Sequence, residues 1–245
     1  MTHPVGLVWY GASPHAWVHD LPGCVAGGAD RAALESMLPV AIAEHVAWLR
    51  EHGEPCDEST DWDIAEEITA GQHRQDFLFE GDRAPVSDAD LERFLARAEF
   101  ARADLLAALR GMPDAVVDWM PPETAFAMYD PWAPEPRSIR DLIRHVLQLE
   151  LFYRGSLRDG LAPGIAERVG DPGDERRLTI EALRALSPDD RVRVFAPLHP
   201  GSGTPGEWTL RKALRRMISH DRAHAAEIAQ RRTWILLGPP VLRLA

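Results

Sequence analysis

From Ser87 onward, every periodic segment of this chain repeats at helical spacing, and proline-rich stretches separate the segments. That limits the latter two thirds to packed helices. Ser87-Asp-Ala-Asp90 has the spacing of a capping box. Beyond it Leu91, Phe94, Leu95, Ala98, Ala101, Leu105, Ala108 and Leu109 share one face until Gly111 and Pro113. Residues 112–136 carry six prolines and read as a long loop. Ser138-Ile-Arg-Asp141 is a second capping box, opening a helix whose stripe is Leu142, His145, Leu149 and Phe152, up to Gly155. Residues 156–176 are again loop-like. Leu178 to Leu186 is expected as a short third helix, and Trp208-Thr209 leads into a long last one. Four helices with long connections predict an all-α four-helix bundle.

The first third has a different period. Val5 to Tyr10, Ala16 to His19 and Cys24 to Gly27 read as short strands, punctuated at Leu21-Pro-Gly-Cys24. Asp30 then caps a helix with Ala33, Leu34, Met37, Leu38, Ala41, Ile42, His45, Trp48 and Leu49 on its inner face, and Gly53 ends it. Two further segments, Asp63 to Thr69 and Gln75 to Glu80, are less regular, the second reading as a returning strand. Charge marks the same division. Residues 1–80 hold 14 acids against three arginines and so carry the whole net charge of −11, whereas the remainder holds 24 of each sign. The expected organisation is an α+β two-domain chain, with a small α/β domain over 1–82 and a helical domain over 85–240.

Composition excludes several classes. Nucleic-acid binding is disfavoured by an acidic surface. No stretch approaches the roughly 18 uninterrupted apolar residues of a membrane span, and the N-terminus lacks a basic start before an apolar run, so the cytoplasm is the expected location. Cys24 and Cys56 cannot form a disulfide framework and read as reduced thiols.

The chemistry lies in the histidines. His220 and His224 are four residues apart and project from one helix face, a spacing at which two imidazoles reach one metal ion. His145 sits mid-stripe on the second helix of the bundle. Three buried imidazoles need partners, and a shared metal satisfies all three; core histidines bonded to neighbours are the alternative. Glu227 falls on the same face, as a fourth ligand, a general base or a group orienting an imidazole, against the reading of an ordinary surface glutamate. Gln148 is a fainter candidate for the cavity wall. Asp221 is expected to point away from His220. Arg215 and Arg216 read as a solvated helix face, with reception of an anionic substrate as the alternative.

Two resemblances follow. Ser138-Ile-Arg-Asp-Leu-Ile-Arg-His145 with Leu149-Glu-Leu-Phe-Tyr153, and Trp208 to Lys212 running on to Ser219-His-Asp-Arg-Ala-His224, resemble the DinB/YfiT-like metalloenzyme superfamily over about 150 residues. The first-helix ending Leu109-Arg-Gly-Met-Pro-Asp114 fits as well. The resemblance implies an up-down-down-up four-helix bundle. It also implies a divalent transition metal, nickel or zinc, held by His145, His220 and His224. A small-molecule substrate and a low-molecular-weight thiol cofactor follow from the superfamily's thiol-dependent transferases, and hydrolysis is the other reaction considered. Pairing of two copies through helices is implied too.

His19-Asp-Leu-Pro-Gly-Cys-Val-Ala-Gly-Gly28, with Trp48-Leu-Arg-Glu-His-Gly-Glu-Pro55, resembles the HicB-like antitoxin domain. That resemblance implies a binding or oligomerisation module whose acidity suits a basic protein partner. A non-catalytic protein built around that module is the competing reading of the whole chain.

Overall fold

The computed structural model describes residues 1–70, 77–120, 137–157, 171–198 and 206–237. The chain opens with strand β1 (His3–Tyr10), which turns at Gly11 in the left-handed region (φ +64°) into the antiparallel strand β2 (Ser13–Val18). Strand β3 (Val25–Gly27) pairs antiparallel with β2. Helix α1 (Arg31–Glu51) then crosses over, and β4 (Trp62–Thr69) adds parallel to β1. The result is a four-stranded mixed sheet in the order β3-β2-β1-β4.

Helix α1 starts where its cap is: the Asp30 carboxylate accepts the Ala33 N–H at 2.8 Å. Leu34, Leu38, Ile42, Val46 and Leu49 face inward. Met37, expected on that face, is instead exposed, because it falls one residue outside the stripe set by Leu34, Leu38 and Ile42. By length and composition α1 could cross a membrane; here its apolar stripe is part of the main core, together with Val5, Leu7, Ala16 and Val18 of the sheet.

The segment expected as a returning strand does otherwise. Gln75 and Asp76 lie outside the described residues, Phe77 to Phe79 is irregular, and Glu80–Arg83 is a 3-10 turn. The backbone amides of Glu80 and Gly81 are taken by the Glu66 side chain, at 2.8 and 3.2 Å, and Asp82 accepts from the Phe79 N–H. Side chains thus claim the donors that strand pairing would need.

The C-terminal region is helical. Helix α2 (Asp88–Leu109) is capped by Ser87 and stops before Gly111, whose φ is +72°. Within the expected long loop, α3 (Asp114–Val117) is a single turn, and 121–136 lie outside the described residues. Helix α4 (Ile139–Ser156) begins with both halves of the Ser138/Asp141 capping box formed. Helix α5 (Pro172–Arg184) starts six residues earlier than expected and leaves Leu178 exposed. Its start signal is Asp171-Pro172, an N-cap followed by proline at the first helical position. Its inner face is Arg176, Thr179, Ile180 and Leu183, so half of that face is polar and the apolar period is hidden. Helix α6 (Leu210–Leu237) follows Thr209, whose hydroxyl oxygen accepts the Lys212 N–H.

Helices α2 and α4 each pack against both α5 and α6. One buried charged residue from each of these four helices meets the others. Arg102 of α2 bonds Asp221 of α6 at 2.8 Å and Glu150 of α4 at 3.0 Å. Arg176 of α5 bonds Glu150 at 2.9 and 2.8 Å and Asp221 at 2.9 Å. Two cations and two anions balance, and the spare guanidinium N–H groups go to the Ala98 and Pro172 carbonyls. A buried charge needs this degree of pairing to be tolerated.

The sheet and the helices share one hydrophobic core, in which Leu38, Ile42 and Trp48 join Leu95, Ala98, Leu214 and Ile218. The glycine of Leu21-Pro-Gly-Cys24 seats directly on α6: a Cβ on Gly23 would come within 2.2 Å of Ile218 Cγ2. Polar contacts reinforce the join. Arg97 of α2 pairs with Glu54, and Trp48 Nε1 donates to Asp104 at 2.6 Å.

Candidate metal centre

The antiparallel approach of α4 and α6 sets the site. His220 and His224 lie one turn apart on α6, and α4 presents His145 to both. The His220 Nε2 atom is 3.1 Å from His145 Nε2 and 3.1 Å from His224 Nε2. Among the described residues these three form a cluster of potential ligand atoms all within 4.8 Å of one another. His224 is buried, and the other two are half-buried.

The nitrogens cannot satisfy one another. His224 Nδ1 lies 2.9 Å from Glu227 Oε2, and the other Glu227 oxygen accepts from Arg231 at 2.6 Å. Burial works to raise the Glu227 carboxyl, but its bonds with His224 and Arg231 outweigh this and hold it below the ordinary range. An ionised carboxylate only accepts, so Nδ1 of His224 donates and its Nε2 is a bare lone pair in the neutral ring. His220 Nε2 can hydrogen-bond only one of its two neighbours.

Protonation does not relieve the crowding at neutral pH. Burial first, then the neighbouring His224 ring, pushes His145 down to about 4. Burial and the flanking His224 and His145 rings lower His220 well below its usual value. Lone pairs converging in this way fit a cation. Two ligands each about 2.0–2.1 Å from one ion lie apart by a distance of this size.

Surrounding residues brace the rings. Arg231, which fixes Glu227, also donates to the Arg137 carbonyl just before α4. Asp221 directs its carboxylate into the Arg102/Arg176 pair, and its Oδ1 stays 4.0 Å from His220 Nδ1. The ring of Tyr153 stands edge-on to His220 with centroids 6.4 Å apart. Gln148 is half-buried on α4 and makes no side-chain hydrogen bond to the three rings.

The solvated face expected at Arg215 and Arg216 is not what the structure has. Arg215 is buried, bonded to both Asp82 oxygens at 2.6 Å, with its guanidinium 4.5 Å from the Trp17 ring and 5.2 Å from Phe79. The 3-10 turn at Glu80–Arg83 supplies this partner from 133 residues away in sequence, which helical periodicity cannot reveal. Arg216 is half-buried over Trp17. Sequence reasoning also missed Arg102, Glu150, Arg176 and Arg231. Their signal was charge at positions in phase with apolar stripes.

The sequence profile of the DinB superfamily matches residues 97–228, just over half of the chain. No curated protein and no solved structure shows significant similarity. The matched span contains the three histidines, Glu227 and all four members of the buried ion network. The chain belongs to the DinB superfamily.

Proposed function

We propose that this protein is a metal-dependent enzyme in which His145, His220 and His224 hold one divalent transition ion, nickel or zinc. The observation that carries this reading is the convergence of three Nε2 atoms, 3.1 Å apart in the two closest pairs, with lone pairs that have no protein partner able to satisfy all of them. Three imidazole ligands leave a coordination position open, the arrangement of catalytic rather than closed structural sites. An ion bound there supplies a lowered pKa to a water or thiol and polarises a carbonyl.

The chain's own residues do the rest. Glu227 is the group nearest to the ligands with acid–base capacity, but both its oxygens are engaged, so its part is to hold the His224 ring with Nε2 inward. His224 and Arg231 together hold the Glu227 carboxyl below its ordinary range. The reaction class proposed is transfer to, or hydrolysis by, a small nucleophile, with a low-molecular-weight thiol as cosubstrate. We also infer that helices α2, α4, α5 and α6 are the four-helix bundle of the superfamily, within a domain spanning 85–240. For residues 1–82 we propose a HicB-like domain, supported by the β-β-β-α-β order with β1 parallel to β4. Its acidity suits a basic protein partner. A cytoplasmic location and self-association belong to the same proposal.

The direct test incubates zinc- or nickel-loaded protein with a low-molecular-weight thiol and a panel of electrophilic and ester-bearing small molecules. Thiol consumption or ester cleavage by the wild type, lost in His220→Ala, supports an enzyme. Rates equal to those without protein across the panel count against it.

A further inference from the structure

Two adjacent arginines of α6 meet opposite fates. Arg215 is neutralised by Asp82. Arg216 has no carboxylate within ion-pair distance among the described residues, and its Nε has no hydrogen-bond partner there. It lies four residues before His220, so it continues the face that carries His220 and His224. Its guanidinium carbon is 5.2 Å from the Trp17 ring centroid, within cation–π distance.

Two more donors nearby are in the same condition. The Tyr153 side chain is 1% exposed, edge-on to His220, and its O–H has no acceptor among the described residues. Arg216 is the strongest charge acting on that hydroxyl and is near enough to donate to its oxygen, which ties the two side chains together. Trp17 is 5% exposed, and its Nε1 has no partner either. Buried donors left unpaired are costly and seldom tolerated singly. Here a cation one turn from His220, an O–H edge-on to His220 and an N–H on the ring beside that cation are drawn from α6, α4 and the N-terminal sheet, with no carboxylate to receive them among the described residues.

We propose that Arg216, Tyr153 and Trp17 form a carboxylate-binding subsite next to the three histidines, so that the small-molecule ligand carries an anionic oxygen group at its far end. The planar guanidinium, held near the Trp17 ring, matches a carboxylate through two parallel N–H bonds. Because Trp17 belongs to β2, the N-terminal unit becomes part of the specificity of the site. The proposal rests on the reading of the histidines as a metal centre with an open position.

Cobalt-loaded full-length protein separates the two ideas. ω-Mercaptocarboxylates of two to five carbons are titrated against the matching mercaptoalcohols, with the thiolate-to-cobalt charge-transfer band as readout. Both series should give the band, and at least one carboxylate should bind on the order of ten- to a hundredfold tighter than its alcohol. Arg216→Gln should bring that ratio near one without altering the alcohol's affinity, and Tyr153→Phe and Trp17→Phe should each shrink it severalfold. Equal affinities in the wild type, or an unchanged ratio in Arg216→Gln, overturn the subsite. Absence of the band with every thiol strikes instead at the open metal site. The subsite is then decided by melting: propionate raising the melting temperature of the wild type more than of Arg216→Gln sustains it, and equal shifts overturn it.

Discussion

His224 Nδ1 lies 2.9 Å from Glu227 Oε2, and this one contact decides which face of the imidazole is left for a ligand. The carboxylate can only accept, so Nδ1 keeps the proton and Nε2 turns toward His220. Removing the carboxylate frees the ring to change tautomer and to rotate. Glu227→Ala is therefore expected to weaken zinc or nickel binding by on the order of 10- to 100-fold. Competition with a chromophoric chelator measures this. An affinity equal to the wild type would show that Glu227 does not position the ring.

The Arg102, Glu150, Arg176 and Asp221 network predicts a non-additive pattern. Arg176→Met strands two buried carboxylates on one guanidinium and should lower unfolding stability by ~3–5 kcal/mol. Replacing all four by apolar residues of similar volume should cost less than that single change. Chemical denaturation of the metal-free protein provides both values. A loss within 0.5 kcal/mol of zero for Arg176→Met, roughly the scatter of surface substitutions, would mean the charges are not buried together.

Gly23 offers a test of the join between sheet and helices. Its φ of +95°, and the 2.2 Å at which an added Cβ would meet Ile218 Cγ2, leave no room for a side chain. Gly23→Ala is expected to destabilise by ~1–3 kcal/mol from overpacking alone, with strain added. Ile218→Ala in the same chain should recover the steric part but not the strain. No recovery in the double variant would place the glycine elsewhere.

Acidification should weaken the metal-free fold in a defined window. An unfolded histidine takes its proton near 6.5, whereas folded His145 does so only at about 4. Between these values the unfolded chain binds more protons, so stability falls as pH falls, and above this window it is flat with respect to this group. Burial lowers His19, His45 and His220 in the same direction. His145→Ala should accordingly reduce, not abolish, the slope of stability between pH 6.5 and 4. An unchanged slope would contradict the buried, neutral state of His145.

The sequence exposes those parts whose determinants are local. Asp30, Ser87 and Ser138 mark helix starts because a cap needs only the next three residues, and His220 and His224 share a face by helical geometry alone. The start of helix α5 is hidden because Arg176 and Thr179 occupy its inner face, and the partners of Arg176 come from other helices. The same holds for Arg215: its neutralising Asp82 sits on a turn that no periodicity announces. The charge division at residue 80 is real in composition, yet packing runs across it, from Leu38 to Ile218 and from Gly23 to α6. Residues 158–170 and 199–205, which flank α5 and precede α6, fall outside the described residues.

Three imidazoles sharing one ion fix the stoichiometry at one metal per chain. Protein purified without a histidine tag, stripped with a chelator and reloaded with zinc or nickel, should by elemental analysis carry close to one ion per chain, as expected of one open three-nitrogen site. His145→Ala, with its fold verified by circular dichroism, should lose that ion. A wild type that takes up no metal, or a His145→Ala variant that retains the full complement, would contradict the assignment of His145, His220 and His224 as the metal centre.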